Sequence, residues 1–184
     1  KELPHSIYDV LIGEKSAEES LVKAEAAGYD VLGSNSDLIG AEIELLDLDR
    51  REYRLKDALL GFGGKYDFIV LDCPPALGVL TLNGLVASDS VIIPMQCEYY
   101  ALEGLTALLD TIDRISSSLN PKLKVEGLLR TMYDPRNSLS RDVSLHLIDH
   151  FGDAVYRTIV PKNVRLAEAP SYGVPVHFYD KYSR

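Results

Sequence analysis

The chain has 184 residues, 46% hydrophobic and 26% charged, the make-up of an ordinary folded domain with no disorder signature. Its net charge of −9 excludes a protein that coats nucleic acid over its whole surface, and its two cysteines, without CxxC spacing, exclude a disulfide framework or zinc site and suit a reducing, cytoplasmic setting. There is no run of 18 apolar residues and no cleavable signal, so neither a membrane span nor export is expected.

Taken from the N-terminus, residues 17–27 read as a helix opened by a capping box from Ser16 and Glu19. "YDVLGS" (29–34) reads as a strand and residues 41–60 as a helix. "GFGGKYD" (61–67) is a helix stop and turn through Gly61, Gly63 and Gly64. "YDFIVLD" (66–72) is a strand, 80–87 a helix, "SVIIPMQ" (90–96) a strand and 101–119 a helix. "VEGLLRTMY" (125–133) is again a strand. Residues 139–151 form a helix that Ser138 can cap and Gly152 can end, and "AVYRTIVP" (154–161) is the last strand.

These apolar runs read as strands buried on both faces. The alternation predicts an α/β fold, a mainly parallel sheet flanked by helices on both faces, in a single domain over residues 1–184. Ligands then bind beyond the carboxyl ends of the strands.

At those ends Asp72 closes a buried strand, where an ionised carboxylate needs a pair, a hydrogen bond or a cation. Mg²⁺ suits it, since this ion takes oxygen ligands and keeps its waters; capping a loop or the following helix is the structural alternative. Pro74 and Pro75 stop the strand and stiffen the exit. A second exit delivers Gln96, Glu98, Tyr99 and Tyr100, a third Met132, Asp134, Arg136 and Arg141, and a fourth Pro161, Lys162, Asn163 and Arg165. Charge is also uneven. Residues 1–120 hold 9 Lys and Arg against 21 Asp and Glu, whereas residues 121–184 hold 10 against 7, so any basic surface is confined to the last third.

The stretches "YDFIVLDCPPALGVLTLNGLVASDSVIIPMQCEYYALEGL", "NPKLKVEGLLRTMYDPRNSLSRDV" and "VPKNVRLAEAPSYGVPV" resemble the ParA/Soj family of chromosome- and plasmid-partitioning ATPases, in the deviant Walker (MinD-like) branch of P-loop proteins. The likeness covers nearly the whole chain. It implies that Asp72 is the Walker B carboxylate behind a Mg²⁺-bound water shell, and that "DCPP", with Pro74, senses the γ-phosphate. It implies further that Pro161 and Asn163 line the adenine pocket near Thr131 and Met132. Arg136 and Arg165 match positions through which Soj-like dimers hold DNA without reading its sequence. The expected cofactors are ATP and Mg²⁺. The expected partners are non-specific DNA, a second copy of the chain and a ParB-like protein, with a cytoplasmic, nucleoid-associated location and no membrane.

The pattern G-x-x-x-x-G-K-[ST] is absent from the 184 residues. "GFGGKYD" follows a helix and enters a strand, the reverse of what a phosphate cradle needs. The chain also opens on Lys1. Set beside these points, the resemblance implies an N-terminally truncated piece that lies downstream of the family's phosphate loop and is inactive by itself, with the gap left by the family's central first strand either closed by rearrangement or covered by partner chains. A non-catalytic interaction module with the same fold is the alternative. A MinD-like cell-division regulator fits less well, for want of a C-terminal amphipathic helix. His146 and His150, four apart on a helix, lack an evident third metal ligand.

Overall fold

The computed structural model describes residues 3–25, 27–74, 76–98 and 101–183. The chain divides into two compact units, residues 1–89 with 115–123, and residues 90–114 with 124–184.

In the first unit α1 (Ile7–Ile12) starts at Ser6, whose hydroxyl accepts the Tyr8 N–H while the Asp9 carboxylate takes the Ser6 N–H at 2.7 Å. Gly13, at φ 90°, ends it in the left-handed conformation that glycine adopts without cost. The predicted helix over 17–27 is instead a turn followed by an antiparallel hairpin, β1 (Leu21–Ala24) on β2 (Tyr29–Leu32), with Leu21 opposite Leu32 and Ala24 opposite Tyr29. Ser16 and Glu19 do bond reciprocally, at 3.1 and 3.2 Å through their backbone N–H groups. That box satisfies one turn only. Cross-strand pairing then captures the next residues, and Gly28 at φ 77° makes the reversal.

The long helix predicted over 41–60 is broken into α2 (Leu38–Glu44) and α3 (Arg54–Leu59), joined by short 3₁₀ turns. Arg50, at φ 54°, sits in a conformation that no α-helix continues through. The break lets Leu45 and Leu55 both bury beside Leu11 and Ala41 in one apolar cluster. α4 (Val79–Ala87) is apolar around most of its circumference and is pinned by Asn83. The Asn83 amide donates to the Arg51 carbonyl at 2.8 Å and the Val79 carbonyl at 2.9 Å, and its oxygen accepts the Leu55 N–H at 3.1 Å.

Residues 66–72 are not a strand. They run on without a sheet partner among the described residues, and Phe68 and Val70 are each 88% exposed. A strand exists only where a neighbour takes its N–H and C=O groups, whatever its apolar content.

The second unit is a three-stranded parallel sheet flanked by helices, in the order β3 (Ser90–Gln96), β4 (Lys124–Tyr133), β5 (Val155–Pro161). α5 (Ala101–Ser118) connects β3 to β4 and α6 (Ser138–Phe151) connects β4 to β5, the crossovers that parallel pairing requires. Ile93, Met95, Leu105, Ile112, Leu128, Val143, Leu147 and Val155 are buried. β3 departs from the expectation of burial on both faces: Ile93 and Met95 are buried while Ile92, Pro94 and Gln96, on the opposite face, are exposed. Asn137 rather than Ser138 caps α6, its side chain accepting the Leu139 N–H at 3.0 Å, and Gly152 follows the helix as expected. Two short helices, α7 (Val164–Glu168) and α8 (Val176–Tyr179), complete the unit.

Candidate functional site

In the second unit the three parallel strands present their carboxyl ends side by side: Gln96 with Thr131, and Tyr133 with Pro161, are register partners. Three of the four exits marked in the sequence therefore share one edge. They border a small cavity of about 130 Å³ lined by Gln96, Cys97, Glu98, Met132, Asp134, Asn137, Ser140 and Lys162. Pockets for whole cofactors span roughly 300–1,000 Å³, so this one is too small to enclose a ligand of that size. Tyr99 and Tyr100 lie outside the described residues, as does Pro75.

The backbone around the cavity is held from several directions. The Lys162 N–H donates to the Tyr133 carbonyl at 3.0 Å, tying the β5 exit to the β4 exit. Met132 has φ 52°, a left-handed conformation unfavourable for a side chain of its size. Below it, Arg130 is only 6% exposed, yet its guanidinium meets neutral acceptors: the Ser144 hydroxyl on α6 and the Tyr156 carbonyl on β5, each at 2.9 Å. Its Nε has no hydrogen-bond partner among the described residues. Arg130 thus fastens α6 and β5 to the central strand just short of the exits. Burial pushes the Cys97 thiol up and the Arg130 charge partly offsets this, so Cys97 stays neutral.

The β4 exit loop carries the charge. Arg136 donates from Nε to Asp134 Oδ1 at 2.9 Å and from Nη2 to Oδ2 at 2.8 Å, while its backbone N–H reaches the same Oδ1 at 3.0 Å. The Arg136 guanidinium and backbone hold the Asp134 carboxyl down at about 2, with Lys162 adding to the effect. At the β5 exit Asn163 caps α7, accepting the Arg165 N–H at 2.8 Å and donating to the Ser183 hydroxyl at 2.9 Å. Arg165 pairs with Glu168 at 2.9 Å and lies 3.6 Å from Asp180.

Thr131, Met132, Pro161, Asn163, Arg136 and Arg165 thus all fall at the β4 and β5 exits of one unit. Asp72 and Pro74 fall in the other. The Asp72 carboxylate is exposed and makes no hydrogen bond among the described residues; it closes an unpaired segment instead of a strand. The loop after it is anchored by Thr81 on α4, whose hydroxyl reaches the Pro74 carbonyl at 3.2 Å and the Ala76 carbonyl at 2.6 Å. The sequence reading passed over Asn137, Ser140 and Cys97 as cavity-lining residues. Asn137 and Ser140 were within reach of it, because a helix that starts at a strand exit turns its cap and first-turn residues toward that exit.

A second, wider cavity of about 460 Å³ in the same unit is lined by Leu102 and Thr106 of α5 and by His146, Asp149, His150 and Phe151 of α6. Among the described residues no group of three His, Cys, Asp or Glu is placed to hold a metal ion. No helix among them is long and apolar enough to cross a membrane.

A family profile described as an AAA domain matches residues 1–125. The chromosome partitioning protein ParA of Caulobacter vibrioides is 51% identical over 177 residues, which are 95% of this chain and 66% of that protein. The sporulation initiation inhibitor protein Soj of Bacillus subtilis is 47% identical over 178 residues, 97% of this chain and 70% of that protein. Among solved structures, a cobyrinic acid a,c-diamide synthase from Mycobacterium smegmatis with bound ADP and magnesium superposes with a TM-score of 0.81 at 39% identity, over 98% of this chain and 75% of that one.

Proposed function

The chain belongs to the ParA/Soj family of P-loop partitioning ATPases, and from that premise we propose that it acts as a nucleotide-dependent DNA-binding switch in chromosome or plasmid partitioning. ATP bridges two copies of the protein, the dimer holds DNA through its backbone, and a ParB-like partner stimulates hydrolysis and release. Residues 1–184 supply the portion of one deviant Walker ATPase domain that lies downstream of the phosphate loop.

The observation that carries this reading is the gathering of Thr131, Met132, Pro161 and Asn163 with Arg136 on the β4 exit loop and Arg165 in α7 at adjacent parallel strand ends. We assign the first four to the adenine end of the nucleotide. Of the four, Met132 also lines the strand-end cavity, beside Asp134 and Lys162 from the same exits. Asp72 is assigned to the hydrated Mg²⁺: an exposed carboxylate without protein donors fits an ion that keeps most of its waters and takes one or two carboxylates. Mg²⁺ would supply charge neutralisation on the transferring phosphoryl group. Pro74 keeps the following loop stiff beside the γ-phosphate. Arg136 and Arg165 take DNA phosphates, for which a guanidinium fork is suited and which carry no sequence information.

In the intact gene product, Asp72→Asn is expected to lower MgATP turnover by roughly 10²-fold or more, the scale of removing one group that stabilises transition-state charge. Arg136→Ala is expected to weaken binding to unrelated duplexes equally and to reduce the salt slope by about one. Unchanged turnover in Asp72→Asn would overturn the metal assignment, and loss confined to one DNA sequence would overturn backbone readout. Residues 1–184 by themselves, having no G-x-x-x-x-G-K-[ST] loop, are expected to show no turnover.

A further inference from the structure

Arg136 is 88% exposed, on a loop that leaves the sheet, yet its guanidinium is already occupied. The Asp134 carboxylate lies fork to fork with it, at 2.9 and 2.8 Å from Nε and Nη2. Two oxygens of a phosphodiester would use that same edge, because carboxylate and phosphate present the guanidinium with nearly the same pair of acceptors. Asp134 cannot swing away freely, since Oδ1 also accepts the Arg136 backbone N–H at 3.0 Å. Only 25% of its side chain is exposed. Arg165, the other arginine at these strand ends, is likewise held by Glu168 and Asp180.

We propose that Asp134 is an affinity-setting residue, an internal stand-in for a DNA phosphate that a duplex must displace before Arg136 can grip it. The proposal rests on the assignment of Arg136 to DNA. Because the Arg136 side of the pair is open to solvent, a duplex can reach it and displace the carboxylate with its dense charge, yet the pair subtracts from the affinity gained. Asp134 thereby keeps backbone binding loose enough to reverse when the nucleotide is hydrolysed. Its location also links the two ligands, for Asp134 lines the strand-end cavity as well as holding the arginine.

The test is fluorescence anisotropy on two unrelated duplexes, with the intact gene product at saturating ATP and Mg²⁺ and over a range of salt. Asp134→Asn keeps an oxygen for the Arg136 backbone N–H, so the turn survives while the charge is lost; Asp134→Ser, another turn-compatible residue, is the second variant. Both are expected to bind both duplexes roughly two- to fivefold more tightly, the equivalent of one exposed ion pair. The gain should vanish in the Arg136→Ala background. Unchanged or weaker binding by the Asp134 variants, with Arg136→Ala still impaired, overturns the proposal and leaves the DNA assignment standing. A gain that persists in Arg136→Ala overturns it in favour of general charge removal. If Arg136→Ala binds DNA as well as the parent does, the DNA assignment itself fails and the proposal with it.

Discussion

Asn83 offers the sharpest test of how the first unit is held together. It is 1% exposed and spends three hydrogen bonds on three different segments: the Leu55 N–H in α3, the Arg51 carbonyl before α3, and the Val79 carbonyl in its own helix. Asn83→Ala removes all three. A buried hydrogen bond contributes about 1 kcal/mol net, and an orphaned buried donor costs about 1–3 kcal/mol. The Leu55 N–H is such a donor, since Leu55 is itself buried. The Arg51 carbonyl, on a half-buried residue, regains part of its loss from water. The expected destabilisation is therefore about 3 kcal/mol, a large share of the roughly 5–15 kcal/mol that holds a domain folded. Asn83→Asp is the informative companion, because it keeps the acceptor for Leu55 but, protonated, has one O–H for the two carbonyls, so one donated bond becomes oxygen facing oxygen. Its buried carboxyl must stay protonated, so its folded-state pKa is raised and its penalty grows as the pH rises above the ordinary carboxyl range. Urea unfolding at several pH values measures both, read as midpoint shifts at constant slope. A loss under about 1 kcal/mol for Asn83→Ala, or a pH-independent penalty for Asn83→Asp, would refute the three-way pin. Because α4 also anchors the Asp72 loop through Thr81, the pin bears on the proposed metal site too.

Gly127 on β4 faces the Tyr156 ring and the Ala154 carbonyl, and an added Cβ would lie 2.8 Å from the ring and 3.0 Å from the oxygen. Gly127→Ala is therefore expected to cost about 1–3 kcal/mol through forced displacement of β5, and a thermal midpoint within a degree or so of the parent would contradict that packing. Asp134, held at about 2 against an ordinary 3.8, is the anion in the folded state wherever the pH exceeds both values. Its stabilising contribution is complete above the unfolded-state pKa and is lost as the pH falls from about 3.8 to about 2. The acid-unfolding profile of Asp134→Asn should be flatter than the parent's in that window and unchanged in shape above it; identical profiles would show that the pair does not persist in solution.

What could be read along the chain was whatever depends on local composition. Apolar runs of strand length at 90–96, 125–133 and 154–161, alternating with helical patterns at 101–119 and 139–151, specify parallel strands and their crossovers almost residue by residue. The same pattern placed three of the polar exits on one edge, since strands joined by helices must all point the same way.

Tertiary structure decided wherever a segment's state depends on a distant partner. Residues 66–72 have the composition of a buried strand but find no sheet neighbour among the described residues, and residues 17–27 open like a helix until pairing with residues 29–32 draws Leu21–Ala24 into a hairpin. Arg50 takes a left-handed turn that lets Leu45 and Leu55 reach one core. The pairing of Arg136 with Asp134 had no signature in the sequence either, although the two residues stand only two apart. Composition sets which conformations a segment can adopt at low cost, but strand pairing, core closure and the grip of one side chain on another are properties of three-dimensional neighbours, and the chain selects among its local options only when those neighbours arrive.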